Sequence, residues 1–216
     1  MVFAAMGKRQ DILDGARRVF LLHGYHGTRI DDIVAEAKVS RRTLYQHFTT
    51  KEELFVALIE SVCAQLVAPL LVPEGATGAP RVVLRRLALD YLTVIMAPSA
   101  LQFYRTVIAE SARFPELGRG FFEAGWVATV EALSRYLAFQ TARGALAIAD
   151  PRFAAEQFLV MVGYAPRTRR LFGADPVQSR AELARWAAKT VDLFMSGCEA
   201  AKAEQSRASP RRVHSP

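Results

Sequence analysis

The chain has 216 residues, 51% hydrophobic and 23% charged, with a net charge of +7 at pH 7. That balance suits a folded chain with a full core and excludes wholesale disorder. Cys63 and Cys198 stand far apart with no CxxC or Cys/His spacing. They read as buried free thiols, and neither a metal nor a cofactor is expected. No apolar run reaches the ~20 residues that span a bilayer. The apolar opening, residues 1–6, precedes Lys8 and Arg9, the wrong order for a secretory leader. A soluble, cytoplasmic protein with no membrane partner is expected.

No stretch alternates with period two, so the fold is expected to be all-α, with about nine helices. The first spans about residues 8–23, with Ile12, Leu13, Ala16, Val19 and Phe20 on one stripe. Gly24 and Gly27 suit its end. Thr28 can cap a second helix with the stripe Ile30, Ile33, Val34 and Ala37. Ser40 can cap a third, over residues 41–47. Thr50 can cap a fourth, with Glu53 at the capping-box position, running to about residue 71. Residues 73–80 form a Pro/Gly loop. Helices are then expected near 81–96, 99–112, 118–143, 151–172 and 177–197. Pro166 lies inside one of these and should kink or end it near Ala165. Residues 201–216 read as a disordered basic tail.

A basic chain suits an anionic partner, but the charge does not locate a site by itself. Residues 1–60 hold nine basic and eight acidic residues, so most of the excess lies further on. The local pattern is sharper: from Lys38 to Lys51 there are four bases and no acid. In that window Lys38-Val39-Ser40 joins two short helices, the length of a helix-turn-helix connection. Val39 points inward with Ile33, Val34 and Leu44. The second helix presents Arg41, Arg42, Thr43 and Gln46 near its start, where the motif meets base edges in the major groove. Thr28, Arg29 and Lys51 sit at helix starts suited to phosphate, and Tyr45 and His47 can donate to the DNA backbone.

Gly24-Tyr25-x-x-Thr28-x-Ile30-x-x-Ile33-Val34, followed by Val39-Ser40-x-x-Thr43-Leu44-Tyr45-x-His47-Phe48-x-x-Lys51-Glu52-x-Leu54-Phe55, resembles the DNA-binding domain of the TetR family. The resemblance covers about 50 residues. It implies DNA contacts from Thr28, Arg29, Arg41, Thr43, Tyr45, His47 and Lys51; the placement of Ser40, Arg42 and Gln46 at the start of the second helix adds them to the expected DNA-binding set. It departs from the family at Lys38, where a glycine is common because the turn can need positive φ, and at Arg42, where a small residue or proline is common. Residues 105–117 and 154–159 are similar to the regulatory domain of the AefR-like subgroup. The resemblance therefore implies an N-terminal three-helix helix-turn-helix domain, residues 1–50 (ordered from about 8). A helical-bundle domain, 51–200, would bind a small effector and dimerise. The implied partners are double-stranded palindromic DNA, a mostly apolar effector and a second copy of the chain. The function would be repression released by the effector.

Phe103, Tyr104, Val107, Phe121, Trp126, Phe158 and Met161 are candidates for an effector pocket, with ordinary core packing as the alternative. Leu183, Trp186, Thr190 and Phe194 make a stripe that suits core burial or a dimer contact. Glu110 could pair with Arg105, face solvent or touch a ligand. No nucleophile–base pattern, glycine-rich phosphate loop or acidic pair stands out, so no catalytic residues are expected. A membrane-surface or protein-binding bundle, and an enzyme on the same scaffold, remain the rival readings.

Overall fold

The computed structural model describes residues 2–68 and 78–208, all helix, turn and connection, with no strand among them. The helices are α1 Val2–Gly27, α2 Ile30–Ala37, α3 Arg41–His47, α4 Lys51–Val67, α5 Pro80–Ile95, α6 Pro98–Ser111, α7 Pro115–Phe121, α8 Ala128–Ala142, α9 Pro151–Leu171 and α10 Arg180–Ala208. A π-helical segment, Phe122–Val127, follows α7 directly and leads into α8. Taken with these two as one rod, the described residues hold the nine helices expected.

The chain divides into two compact units, and the division does not fall at residue 50. The first unit joins residues 1–68 with 97–128, so α4, α6 and α7 belong with the three N-terminal helices. The reason is α4. Its Leu54, Phe55, Leu58, Ile59 and Val62 are all buried in one core with Phe20 of α1, Leu44 of α3, Phe103 and Val107 of α6 and Leu117 of α7. Phe55 meets Phe20 edge-on at 4.6 Å and packs on Phe103 at 6.0 Å. α6 is tied to α1 by the Gln102 amide donating to the Leu21 carbonyl and by His26 paired with Glu110 at 2.9 Å. Glu110 thus turns to a histidine.

The second unit holds α5, α8, α9 and α10. α5 packs on α9 and α10, with Asp192 of α10 receiving Arg85 and Arg81 of α5 at 2.7 and 2.5 Å. The Arg85 and Arg81 guanidiniums hold the Asp192 carboxyl below its usual range. Gly163 lets α5 approach α9 closely, since a Cβ there would lie 2.8 Å from Ile95 Cδ1. Asp150 caps α9, accepting from the N–H groups of Arg152 and Phe153 at 3.0 Å each, with Pro151 in the first turn.

Four sequence expectations change. α1 begins at Val2, not near residue 8, and Gly24 interrupts it with φ 68° and ψ 178°. α9 runs on through Pro166 and does not end at Ala165. α10 continues to Ala208, so the expected tail does not begin at 201; Ala200, Ala201, Lys202, Ala203, Glu204 and Gln205 are good helix formers with no breaker among them. Residues 209–216 lie outside the described residues, as does most of the expected loop at 73–80, whose Pro80 opens α5. No single helix among the described residues is long and apolar enough to cross a membrane.

Gly15 sets the crossing of α1 and α2. A Cβ there would sit 2.8 Å from Ala37 Cβ and 2.9 Å from Ala37 Cα, and backbone cannot step aside. Gly15→Ala should therefore lower stability by about 1–3 kcal/mol despite alanine's better helix propensity. Urea unfolding measures it; a gain in the midpoint would refute the close crossing.

Candidate nucleic-acid interface

α2 ends in a Schellman turn. The Val39 N–H reaches the Val34 carbonyl at 3.2 Å, and the Lys38 N–H reaches Ala35 at 3.3 Å. Lys38 holds the left-handed position, φ 53° and ψ 43°, and is the one non-glycine with positive φ among the described residues. This is the place where the family resemblance led one to expect glycine. Val34 and Val39, the apolar pair that accompanies such turns, both pack on the first unit's core.

Ser40 then caps α3. Its Oγ accepts the Thr43 N–H at 3.0 Å and lies 2.8 Å from the Thr43 hydroxyl. Leu44 and Phe48 are buried and anchor the helix. Arg41, Arg42, Tyr45 and Gln46 are exposed on its outer side, and Thr43 and His47 are half-buried. Arg41 lies 3.5 Å from Asp31 of α2. An exposed pair of this kind is worth little and can be exchanged for a DNA contact. The Arg9 guanidinium stands 5.3 Å over the Phe48 ring, a cation at this surface that the sequence pattern did not single out because the two residues are remote in the chain.

Three expected helix-start contacts are placed differently. Thr28 does not cap α2: it is 2% exposed, and its hydroxyl donates to the Gly24 carbonyl at 2.7 Å. The cap position belongs to Arg29, whose N–H donates to Asp32 at 3.3 Å while its side chain is exposed. Gly24's departure from helical dihedrals is what frees that carbonyl for Thr28. Lys51 is half-buried, donating to the carbonyls of Tyr25 at 2.9 Å and Thr28 at 3.2 Å above the Tyr25 ring. Two of its three donors are thus spent on joining α4 to the α1–α2 connection. Thr50 caps α4 as expected, accepting the Glu53 N–H at 3.0 Å. Glu53 reaches back one residue further than a capping box, to the Thr49 hydroxyl at 2.6 Å and N–H at 2.7 Å. The Thr49 donors hold its carboxyl below the usual range.

Residues 12–58 match the family described as bacterial regulatory proteins, tetR family, and residues 82–197 match the AefR-like transcriptional repressor, C-terminal domain. The chain belongs to the TetR family. A TetR-family transcriptional regulator from Mesorhizobium loti of known structure is 29% identical, with a TM-score of 0.82 over 89% of this chain and 97% of that one. The flavonoid-responsive regulator FrrA is 32% identical, with a TM-score of 0.76 over 88% and 96%. The HTH-type transcriptional repressor AcnR of Corynebacterium diphtheriae is 41% identical over 59 residues, 27% of this chain. The match spans 31% of that repressor's length. These relatives are transcriptional regulators, not enzymes.

In this TetR-family chain the expected pocket residues belong to both units. Phe103, Tyr104, Val107, Phe121 and Trp126 are in the first, Phe158 and Met161 in the second. Phe103 and Val107 are buried in the core with Phe55, and Phe158 is fully buried against Phe194 at 5.1 Å. Tyr104, Phe121, Trp126 and Met161 are only partly buried. Tyr136 of α8, one of the aromatics between residues 103 and 164 that the sequence offers for a pocket, is buried on the stripe of Leu133 and Leu137; its hydroxyl has no hydrogen-bond partner, and burial pushes its phenol up.

The expected dimer stripe is used inside the protomer. Leu183 and Thr190 are buried, Phe194 packs on Phe158, and the Trp186 indole donates to the Val162 carbonyl of α9 at 2.9 Å. α10 uses this face to pack on α5 and α9. Exposed large apolar side chains of the same unit include Phe153, Val160 and Tyr164 on α9 and Leu193 on α10, beside Val82 of α5, Phe139 of α8 and Phe172 and Val177 between α9 and α10.

Lys38 offers a direct check of the turn. A non-glycine in the left-handed region costs about 1–2 kcal/mol, and glycine returns about 0.5–1 kcal/mol through its freer unfolded chain. Lys38→Gly should raise stability by about 0.5–1 kcal/mol in urea unfolding, and Lys38→Ala should not. An equal gain from alanine would show that the backbone conformation is not the cause.

Proposed function

We propose that this regulator reads a palindromic operator in double-stranded DNA as a homodimer and represses transcription until a mostly apolar effector releases it. The observation that carries the reading is the outer face of α3. Arg41, Arg42, Tyr45 and Gln46 are exposed there together, on a helix capped by Ser40 and held by a closed turn, with no acid between Lys38 and Lys51. Arginine donates in a fork to guanine and glutamine pairs with adenine, so this face carries base-reading chemistry. Arg29, Thr43, His47 and the remaining donor of Lys51 serve as the surrounding phosphate contacts; Thr28 contributes through its backbone N–H. Residues 1–50 carry the reading and 51–200 the effector and dimer functions, in the cytoplasm.

The effector is an aromatic, mostly apolar molecule. Support comes from the partly buried Tyr104, Phe121 and Trp126 of the first unit and from the flavonoid-responsive relative at 32% identity. Release is a population shift toward a dimer whose two α3 helices no longer suit major grooves ~34 Å apart.

Arg41→Ala should weaken operator binding by about 1–3 kcal/mol and relax the preference at one base position, whereas random duplex should be affected much less. Wild-type affinity should fall steeply with salt. Selection from a random duplex pool supplies the operator, and fluorescence anisotropy the affinities. An unchanged operator preference in the variant would sink the assignment of α3.

The dimer seam is the exposed α9 stripe of Phe153, Val160 and Tyr164, not the α10 stripe. An aspartate at Val160 should shift the chain to monomer in sedimentation while its helical circular dichroism persists. Leu183→Asp, at a buried position, should instead lower the unfolding midpoint by several kcal/mol of stability. A Val160→Asp chain that remains dimeric would overturn the seam.

A further inference from the structure

α9 stays helical across Pro166, and the way it does so points to a role for Trp186. In an α-helix residue 166 would donate its N–H to the carbonyl of residue 162. Proline has no N–H, and its ring crowds that same carbonyl. Val162 is fully buried, so its carbonyl has no ready recourse to water. The donor comes from another helix: Trp186 Nε1 reaches the Val162 oxygen at 2.9 Å. Packing alone does not account for the contact. A groove of about 260 Å³, lined among others by Pro166, Leu183, Trp186 and Lys189, lies alongside, so the joint is open on one side.

We propose that Trp186 is a positioning residue for α9: its indole N–H takes the place of the backbone donor that Pro166 removes, and so fixes the last turn and a half of α9 through α10. The direction of that segment is then set by a side chain of α10, not by α9's own ladder alone. A movement of α10 is passed to residues 166–171, whereas an unbroken helix would hold them rigidly to its first half.

A double-mutant cycle tests it in the full-length chain. Trp186→Phe keeps an aromatic ring and removes the donor. With Pro166 present it should lower the folding equilibrium constant by about tenfold to a hundredfold, the range for a buried acceptor left unpaired. With Pro166→Ala the residue-166 N–H can serve Val162, and Trp186→Phe should then cost less than about threefold. The lost ring volume is common to both backgrounds and cancels in the comparison. Hydrogen exchange of the amides of residues 167–171 should quicken in Trp186→Phe and recover in the double variant. If Trp186→Phe alone does not fold, recovery of a folded double variant supports the joint, and failure of both overturns it. An equal cost in the two backgrounds also overturns it.

Discussion

α4 is the element on which the first unit depends, because it buries apolar side chains toward two sets of partners at once. α2 has eight residues and α3 seven, lengths at which a helix has no stability of its own in water. Leu54, Phe55, Leu58 and Ile59 supply the missing surface, meeting Phe20 and Leu44 on the reading side and Phe103, Val107 and Leu117 on the other. Lys51, at the start of the same helix, holds the Tyr25 and Thr28 carbonyls. The angle at which α3 stands is therefore set by a helix that shares its core with α6 and α7. That sharing is a physical route by which a change at α6 or α7 can reach the reading face without touching it.

The reading head divides its polar groups into those spent inside and those left outside. Thr28, Ser40, Thr50 and most of Lys51's capacity go to backbone groups at helix ends, which would otherwise be orphaned. Arg41, Arg42, Tyr45 and Gln46 are left on the surface. The division explains why the position of Lys38 matters. A left-handed residue at the end of α2 closes the Schellman turn, and the turn directs Ser40 to the start of α3.

Much of this was legible in the sequence where the cause is local. The caps at Ser40 and Thr50 lie three residues from the N–H groups they accept, and the family resemblance, with glycine common where Lys38 stands, marked the position that takes positive φ. Contacts between residues remote in the chain were not legible. Nothing in the pattern around Trp186 announces the carbonyl of Val162, so Pro166 read as a kink or a helix end and Trp186 as part of a core or dimer stripe. Thr28 looked like a cap because its acceptor, the Gly24 carbonyl, becomes available only once the end of α1 is bent. The compact units divide elsewhere than at residue 50 for a similar reason: an amphipathic pattern tells that α4 has an apolar face but not which helices meet it. Gly15 did carry a signal, a glycine within the stripe of Ile12, Leu13 and Ala16, where it costs helix propensity and so implies a close neighbour.

The two cysteines carry a consequence of their own. Cys63 is buried in the first unit and Cys198 in the second, and neither is in a disulfide. Burial pushes the Cys63 thiol up to about 12, so it carries almost no thiolate at neutral pH. Neither sulfur can meet an alkylating reagent until its own surroundings open. The chain thus holds one native timer in each unit, and the two labelling rates would tell whether the units open together or one at a time.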